Sequence, residues 1–149
     1  MDTNSPLPEM PGHLIRRLNQ HSTAQFQRQL GAAGHDITPV QFAALKTLAE
    51  NPGLDQATLA ALIAYDRATI GGVVMRLQKK GLIQRQTNTD DRRAFKLSLT
   101  PLGKTLLGDI TPVVCALQED ILINLSDGER RIFVNLIRKA LNLNRAATS

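Results

Sequence analysis

Residues 66–100 read DRATIGGVVMRLQKKGLIQRQTNTDDRRAFKLSLT, and the rest of the chain is organised around them. Asp66 is a capping residue type, the helix it opens runs to Lys80, and Gly81 stops it. Two short runs of alternating apolar and polar residues follow, 82–86 and 94–99, and read as strands. The polar, charged segment 87–93 is long for a tight hairpin and is expected to project as a wing. A helix followed by a hairpin with a basic tip is the sequence form of a winged helix-turn-helix.

The segments before this stretch fit that form. Asp55 can cap a short helix through Leu59, Leu62 and Ile63, and a brief turn at Ala64-Tyr65 leads to Asp66. Two short helices joined by a tight turn form a helix-turn-helix, whose second helix lies in the DNA major groove. Upstream, Thr38-Pro39-Val40-Gln41 combines a cap, a first-position proline and a capping-box glutamine. Phe42, Leu45, Leu48 and Ala49 then form an inward stripe, ended by Asn51-Pro52-Gly53. From Pro11 to about Leu30, apolar residues recur at helical steps as Leu14, Ile15, Leu18, Phe26 and Leu30, and Gly31 and Gly34 close the helix. Residues 1–10 hold two prolines and no period, and read as a loose arm.

Beyond the hairpin, Thr100-Pro101 restarts a helix, and Thr111-Pro112 predicts a kink or break in it. Ser126-Asp127-Gly128-Glu129 is a capping box for a last helix, with Ile132, Phe133, Leu136, Ile137 and Leu141 as its expected buried stripe. The expected fold is mainly α with a small β-hairpin wing (α+β). A winged helix-turn-helix lobe covers 38–100, and a helical dimerisation region covers 11–37 and 101–149. The terminal helices carry more apolar surface than so small a lobe can cover, so a second copy of the chain is the expected partner.

Composition narrows the alternatives. At 149 residues with 42% apolar and 3% aromatic content, the core must be aliphatic, which suits helix-on-helix packing. A single cysteine, Cys115, excludes an intrachain disulfide and fits a reducing cytoplasm. No run approaches membrane-span length, and the first ten residues lack a signal-peptide pattern. The net charge is +5, but residues 66–104 alone carry nine basic and three acidic side chains. The remainder of the chain is therefore at −1, and all excess positive charge sits on the expected DNA reader.

The chain resembles the MarR family of bacterial transcriptional regulators over residues 14–141. The most specific part is Asp91-Arg92-Arg93 followed by Leu99-Thr100-Pro101-Leu102-Gly103, similar to that family's wing tip and the helix start after it. Leu77-Gln78-Lys79-Lys80-Gly81-Leu82-Ile83 matches the exit of its recognition helix into the wing. The resemblance implies a homodimer joined through its first and last helices, one winged reader per subunit, and a pocket for a small phenolic or aromatic carboxylate.

Candidate DNA-binding residues follow. Arg67 and Thr69, near the start of the recognition helix, can reach base edges or phosphates. Arg76 is expected on a phosphate, as are Arg85 and Arg92. Arg93 is placed in the minor groove, with Asp91 holding its guanidinium, a role that also matches the family pattern. Gly71-Gly72 each cost about 1 kcal/mol relative to alanine in a helix. Close approach to the duplex or close packing on the preceding helix would offset that.

Candidate ligand-binding residues are His13, Arg17 and His21, which share one helix face, with adjacent Arg16 and with Phe42 and Val113 as apolar walls. Cys115 lies in the apolar run Val113–Leu117, where a buried, inert thiol is the expectation, so a redox-sensing repressor ranks below a ligand-responsive one. Three histidines and one cysteine, widely spaced, give no zinc-ligand pattern and no metal or cofactor is expected. No Gly-rich phosphate loop or nucleophile elbow is present, which argues against an enzyme. A ligand-independent architectural DNA-binding protein and a winged interaction module are the other readings.

Overall fold

The computed structural model describes residues 4–87, 89–90 and 95–143. Asp91, Arg92 and Arg93 lie outside the described residues. After a single 3-10 turn at Leu7–Glu9, the elements run α1 (Pro11–Ala32), α2 (Pro39–Glu50), α3 (Gln56–Leu62), α4 (Ile70–Lys79), β1 (Ile83–Thr87), β2 (Phe95–Leu99), α5 (Pro101–Ile121) and α6 (Asp127–Ala140). The mainly helical, hairpin-bearing class read from the sequence is the one found.

Local chemistry sets most of the helix starts. The Thr38 hydroxyl accepts from the Gln41 amide at 3.2 Å, and the Gln41 side chain accepts from the Thr38 amide at 3.2 Å, closing the capping box of α2. The Asp55 carboxylate accepts from the Thr58 amide at 2.7 Å at the head of α3. Ser126 and Glu129 close the box of α6 in the same reciprocal way. Helix α4 ends because Gly81 takes φ +72°, a left-handed conformation that glycine adopts without steric cost. The Gly81 and Leu82 amides then donate back to the carbonyls of Gln78 and Leu77, satisfying the last turn.

Four local readings need correction. Helix α4 starts at Ile70, not at Asp66. Asp66 instead caps a turn, accepting from the Ala68 amide with its carboxylate and from the Thr69 and Ile70 amides with its carbonyl. Helix α5 continues through Pro112 without a break. The Thr111 hydroxyl bonds the Leu107 carbonyl at 2.6 Å there, and Pro112 sits on the exposed side, where water can satisfy the carbonyl it leaves without a partner. Cys115 is exposed, because Ile110, Val114 and Leu117 set the inward phase of α5 and position 115 falls off it. Finally, α6 buries none of its side chains within one chain; Ile132, Leu136 and Leu141 are about 60% exposed.

One core holds the rest together. Leu30 of α1, Leu45 and Leu48 of α2, Leu59 of α3, Ile70, Val74 and Leu77 of α4, and Ile110 and Leu117 of α5 are fully buried in it. The hairpin is antiparallel in the register Ile83↔Leu99, Arg85↔Leu97 and Thr87↔Phe95. Those six residues therefore share one face of the sheet. Its root is buried through Ile83, Leu97 and Leu99. Strand β2 is further fixed to the segment before α3, since the Leu97 amide donates to the Leu54 carbonyl at 2.7 Å and the Gly53 amide to the Leu97 carbonyl at 2.9 Å.

The hairpin is also clamped to α5. The Thr100 hydroxyl donates to the Gly81 carbonyl at 2.6 Å and accepts from the Gly103 amide at 3.0 Å, while the Thr100 amide donates to the Leu82 carbonyl at 3.0 Å. Gly103 is packed so closely that a Cβ there would stand 2.0 Å from the Leu82 carbonyl oxygen.

Candidate nucleic-acid interface

Helices α3 and α4 form the helix-turn-helix. The turn between them is tight because Ala64 takes φ 52° and the Tyr65 amide donates to the Ala60 carbonyl at 2.9 Å. Helix α4 buries Ile70, Val73, Val74 and Leu77, a spacing that lays one stripe on the core. Its other side turns Met75, Arg76 and Lys79 to solvent, and Arg67 and Thr69 are exposed in the turn before it. The Thr69 hydroxyl donates to the Asp66 carbonyl at 3.1 Å, which directs its lone pairs outward.

The expected DNA-binding residues separate into three sets. Arg67 and Arg85 come together: both line a cleft of about 480 Å³ between the start of α3, the turn before α4 and the face of the hairpin. Arg76 stands apart on the opposite end of α4 and lines a second hollow with Lys79, Lys80, Asp36, Thr38 and Gln41. Lys80 there bonds the Asp36 carbonyl and faces its carboxylate at 3.6 Å. Asp91, Arg92 and Arg93 belong to the segment outside the described residues.

Two residues at the first cleft have no counterpart in the sequence reading. The Arg85 guanidinium lies over the Phe95 ring, 5.1 Å from its centre, and Nη2 donates to Gln56 Oε1 at 3.4 Å. Phe95 was findable, because strand alternation puts it on the face of Arg85. Gln56 was not, since the contact depends on how α3 meets the hairpin. The Asp55 carboxyl is held below its ordinary range, chiefly by the Thr58 amide and to a smaller extent by the Arg67 charge. The room at Gly71 goes to packing: a Cβ there would meet Gln56 Nε2 at 3.4 Å.

The expected ligand-binding residues lie on three elements. On α1, Arg16 bonds the His13 ring at 3.4 Å, and the His21 ring meets the Ile121 carbonyl at 3.1 Å; Arg17 is exposed. Phe42 of α2 is half-buried against Phe26, with ring centres 6.2 Å apart, and Val113 of α5 is half-buried against the core. His21 is thus tied to the end of α5, whereas Phe42 and Val113 face the core.

Comparison with known proteins agrees with this architecture. The MarR family model matches residues 37–95. The transcriptional regulator HosA of Escherichia coli O157:H7 is 32% identical over 130 residues, covering 87% of this chain and 93% of that protein. The HTH-type transcriptional repressor NicR of Pseudomonas putida is 36% identical over 141 residues, covering 93% of this chain and 88% of its own. The solved structure of Bordetella bronchiseptica BpsR, whose DNA binding is described as regulated by 6-hydroxynicotinic acid, matches with a TM-score of 0.84 at 29% identity. That match covers 91% of this chain and 96% of the BpsR chain. The chain belongs to the MarR family of transcriptional regulators.

Proposed function

We propose that this regulator is a homodimeric repressor that grips an inverted-repeat operator and is released from it by a small aromatic acid. The observation that carries the DNA-binding part is the arrangement of α4. It buries one apolar stripe and leaves Arg76 outward, the turn before it leaves Arg67 and Thr69 outward, and Arg85 on the neighbouring strand faces the same cleft as Arg67. In this reading Thr69 and Arg67 meet base edges or phosphates, Arg76, Arg85 and Arg92 meet phosphates, and Arg93, held by Asp91, enters the minor groove. Dimerisation is supported by the apolar side chains that one chain leaves exposed on its first and last helices, among them Leu14, Ile15, Ile132 and Leu136. A two-fold pair of readers would engage half-sites one helical turn apart.

The ligand part rests on the basic group His13, Arg16, Arg17 and His21 at one end of α1, and on the likeness to BpsR, whose DNA binding is described as regulated by an aromatic acid. Phe42 and Val113 would supply the apolar walls. The ligand must bind the DNA-incompetent form more tightly, since equal affinity for both forms shifts nothing. Cys115 is exposed, so a thiol-responsive repressor is the second reading; alkylating it should then change operator affinity.

The test is an anisotropy titration against DNA flanking the protein's own gene, in the presence and absence of a panel of aromatic acids including 6-hydroxynicotinic acid. Binding to one palindromic fragment, weakened by one acid in wild type but not in Arg17→Ala, is the expected result. With about 6–10 phosphates neutralised, affinity should drop by about three to five decades from 50 to 200 mM salt. A chain that sediments as a monomer, or prefers no fragment, overturns the proposal.

A further inference from the structure

We propose that the cleft between α3 and the hairpin seats one backbone phosphate of the duplex, and that Gln56 and Phe95 are the positioning residues that fix Arg85 there. This rests on the DNA-reader assignment above, which already puts Arg85 on a phosphate, and adds Arg67 as the second donor to that phosphate and the two side chains that hold Arg85 in place.

Three observations converge on it. First, two guanidiniums on different elements, Arg67 before α4 and Arg85 on β1, line one open cleft of about 480 Å³. Among the described residues that line it, Asp55 is the one carboxylate against these two guanidiniums, so the lining is net positive. Second, Arg85 is held before any DNA arrives. Its guanidinium is 5.1 Å from the centre of the Phe95 ring, inside the range of a cation–π contact, and one nitrogen bonds Gln56. A guanidinium carries five N–H donors, of which the bond to Gln56 uses one. Among the described residues those other donors make no further hydrogen bond.

Third, Gln56 touches all three DNA-facing elements at once. It opens α3, its Oε1 accepts from Arg85 on the wing, and its Nε2 fills the space above Gly71 of α4. A free arginine samples many rotamers, and each must be given up when it docks on a phosphate; one held by a ring and a hydrogen bond has already lost most of them. The arrangement therefore fixes the spacing between recognition helix and wing stem, and presents Arg67 and Arg85 as a pair of donors to one anion.

Because the contact reads no base, it is testable on a random-sequence duplex of about 30 base pairs, by anisotropy across a salt series. Arg85→Gln should lower the slope of log affinity against log salt by about 2, one phosphate from each half of the dimer. Arg28→Gln, an equal charge change on α1, should leave the slope alone. Phe95→Leu frees the guanidinium, and ordering it again on docking in both halves of the dimer should weaken binding by about fivefold to 150-fold, while Phe95→Tyr should restore it. Gln56→Glu still accepts from Arg85 but adds an anion to the cleft, so it should weaken binding more than Gln56→Ala does. Thermal melting of each variant within a few degrees of wild type keeps these losses separate from unfolding. If wild type binds the duplex while Arg85→Gln keeps the full salt slope, or Phe95→Leu and Gln56→Glu bind as tightly as wild type, the phosphate seat is wrong and the DNA reader stands. If wild type itself fails to bind at 50 mM salt, the DNA-reader assignment falls first.

Discussion

Replacing Gly103 by alanine should destabilise the protein, although the same change elsewhere in that helix should stabilise it. The added Cβ would lie 2.0 Å from the Leu82 carbonyl oxygen, 3.0 Å from its carbon and 3.3 Å from Leu82 Cα. All three are backbone atoms, so no rotamer change relieves the clash. The root of the hairpin must move by an ångström or so, and two bonds depend on it: Thr100 amide to Leu82 carbonyl and Thr100 hydroxyl to Gly81 carbonyl. Overpacking costs about 1–3 kcal/mol, and two hydrogen bonds contribute about 0.5–1.5 kcal/mol each. Alanine returns about 1 kcal/mol of helix propensity. The net loss is about 1–5 kcal/mol, a fall in melting temperature of about 2–20 °C for a chain of this size. Gly108 provides the control, since a Cβ there meets nothing within 4 Å, and Gly108→Ala should gain up to about 1 kcal/mol. Urea unfolding of both variants at one protein concentration measures the difference. A Gly103→Ala protein as stable as Gly108→Ala would show that the close approach does not matter.

Other substitutions probe separate parts of the molecule. Leu136→Glu places a charge on the exposed apolar side of α6; losing about 1.5–3 kcal/mol of burial per subunit should weaken self-association by about a hundredfold or more, as read by sedimentation velocity. Unchanged association would place the dimer contact elsewhere. Arg67→Ala should cost about 1–3 kcal/mol in operator affinity if it reads a base, and should relax preference at that position; an equal loss on every sequence would make it a phosphate contact instead. Asp55→Ala removes the cap of α3 and should cost about 1 kcal/mol at neutral pH. Because the folded Asp55 titrates below its unfolded value, its contribution is complete above about pH 4 and disappears as pH falls through the folded value. Wild type and variant should therefore converge in acid, and a gap that persists at pH 2 would assign the loss to something other than the carboxylate.

Features decided within a few residues were legible in the sequence. Thr38, Asp55, Thr100 and Ser126 all cap the helices expected of them, because a side-chain oxygen three residues before an amide needs no tertiary help. Gly81 ends α4 for an equally local reason. The start of α4 was misplaced because Asp66 can cap a turn as readily as a helix, and only the buried Ile70 marks where the helical bonds begin. The exposure of Cys115 could have been found from the phase of Val114 and Leu117; the apolar neighbours of the cysteine hid it. The Arg85, Phe95 and Gln56 cluster needed the strand register and the seat of α3 together, neither of which is encoded nearby. The ligand candidates on α1 were ordered by helical spacing, but their relation to Phe42 and Val113 depends on how three helices cross.

The hydroxyl of Thr100 carries a mechanical consequence. It joins the carbonyl of Gly81, the residue that stops the reading helix, to the first turn of α5, and Gly103 packs tightly beside that joint. Helix α5 has 21 residues and is about 30 Å long, so it works as a lever with its fulcrum at the wing root. A sideways shift of about 2–3 Å at its far end, where His21 touches Ile121, corresponds to a swing of about 5° of the reading head. Were α5 to move as a rigid rod about that joint, a modest displacement beside α1 would become a change in pitch of the reading head.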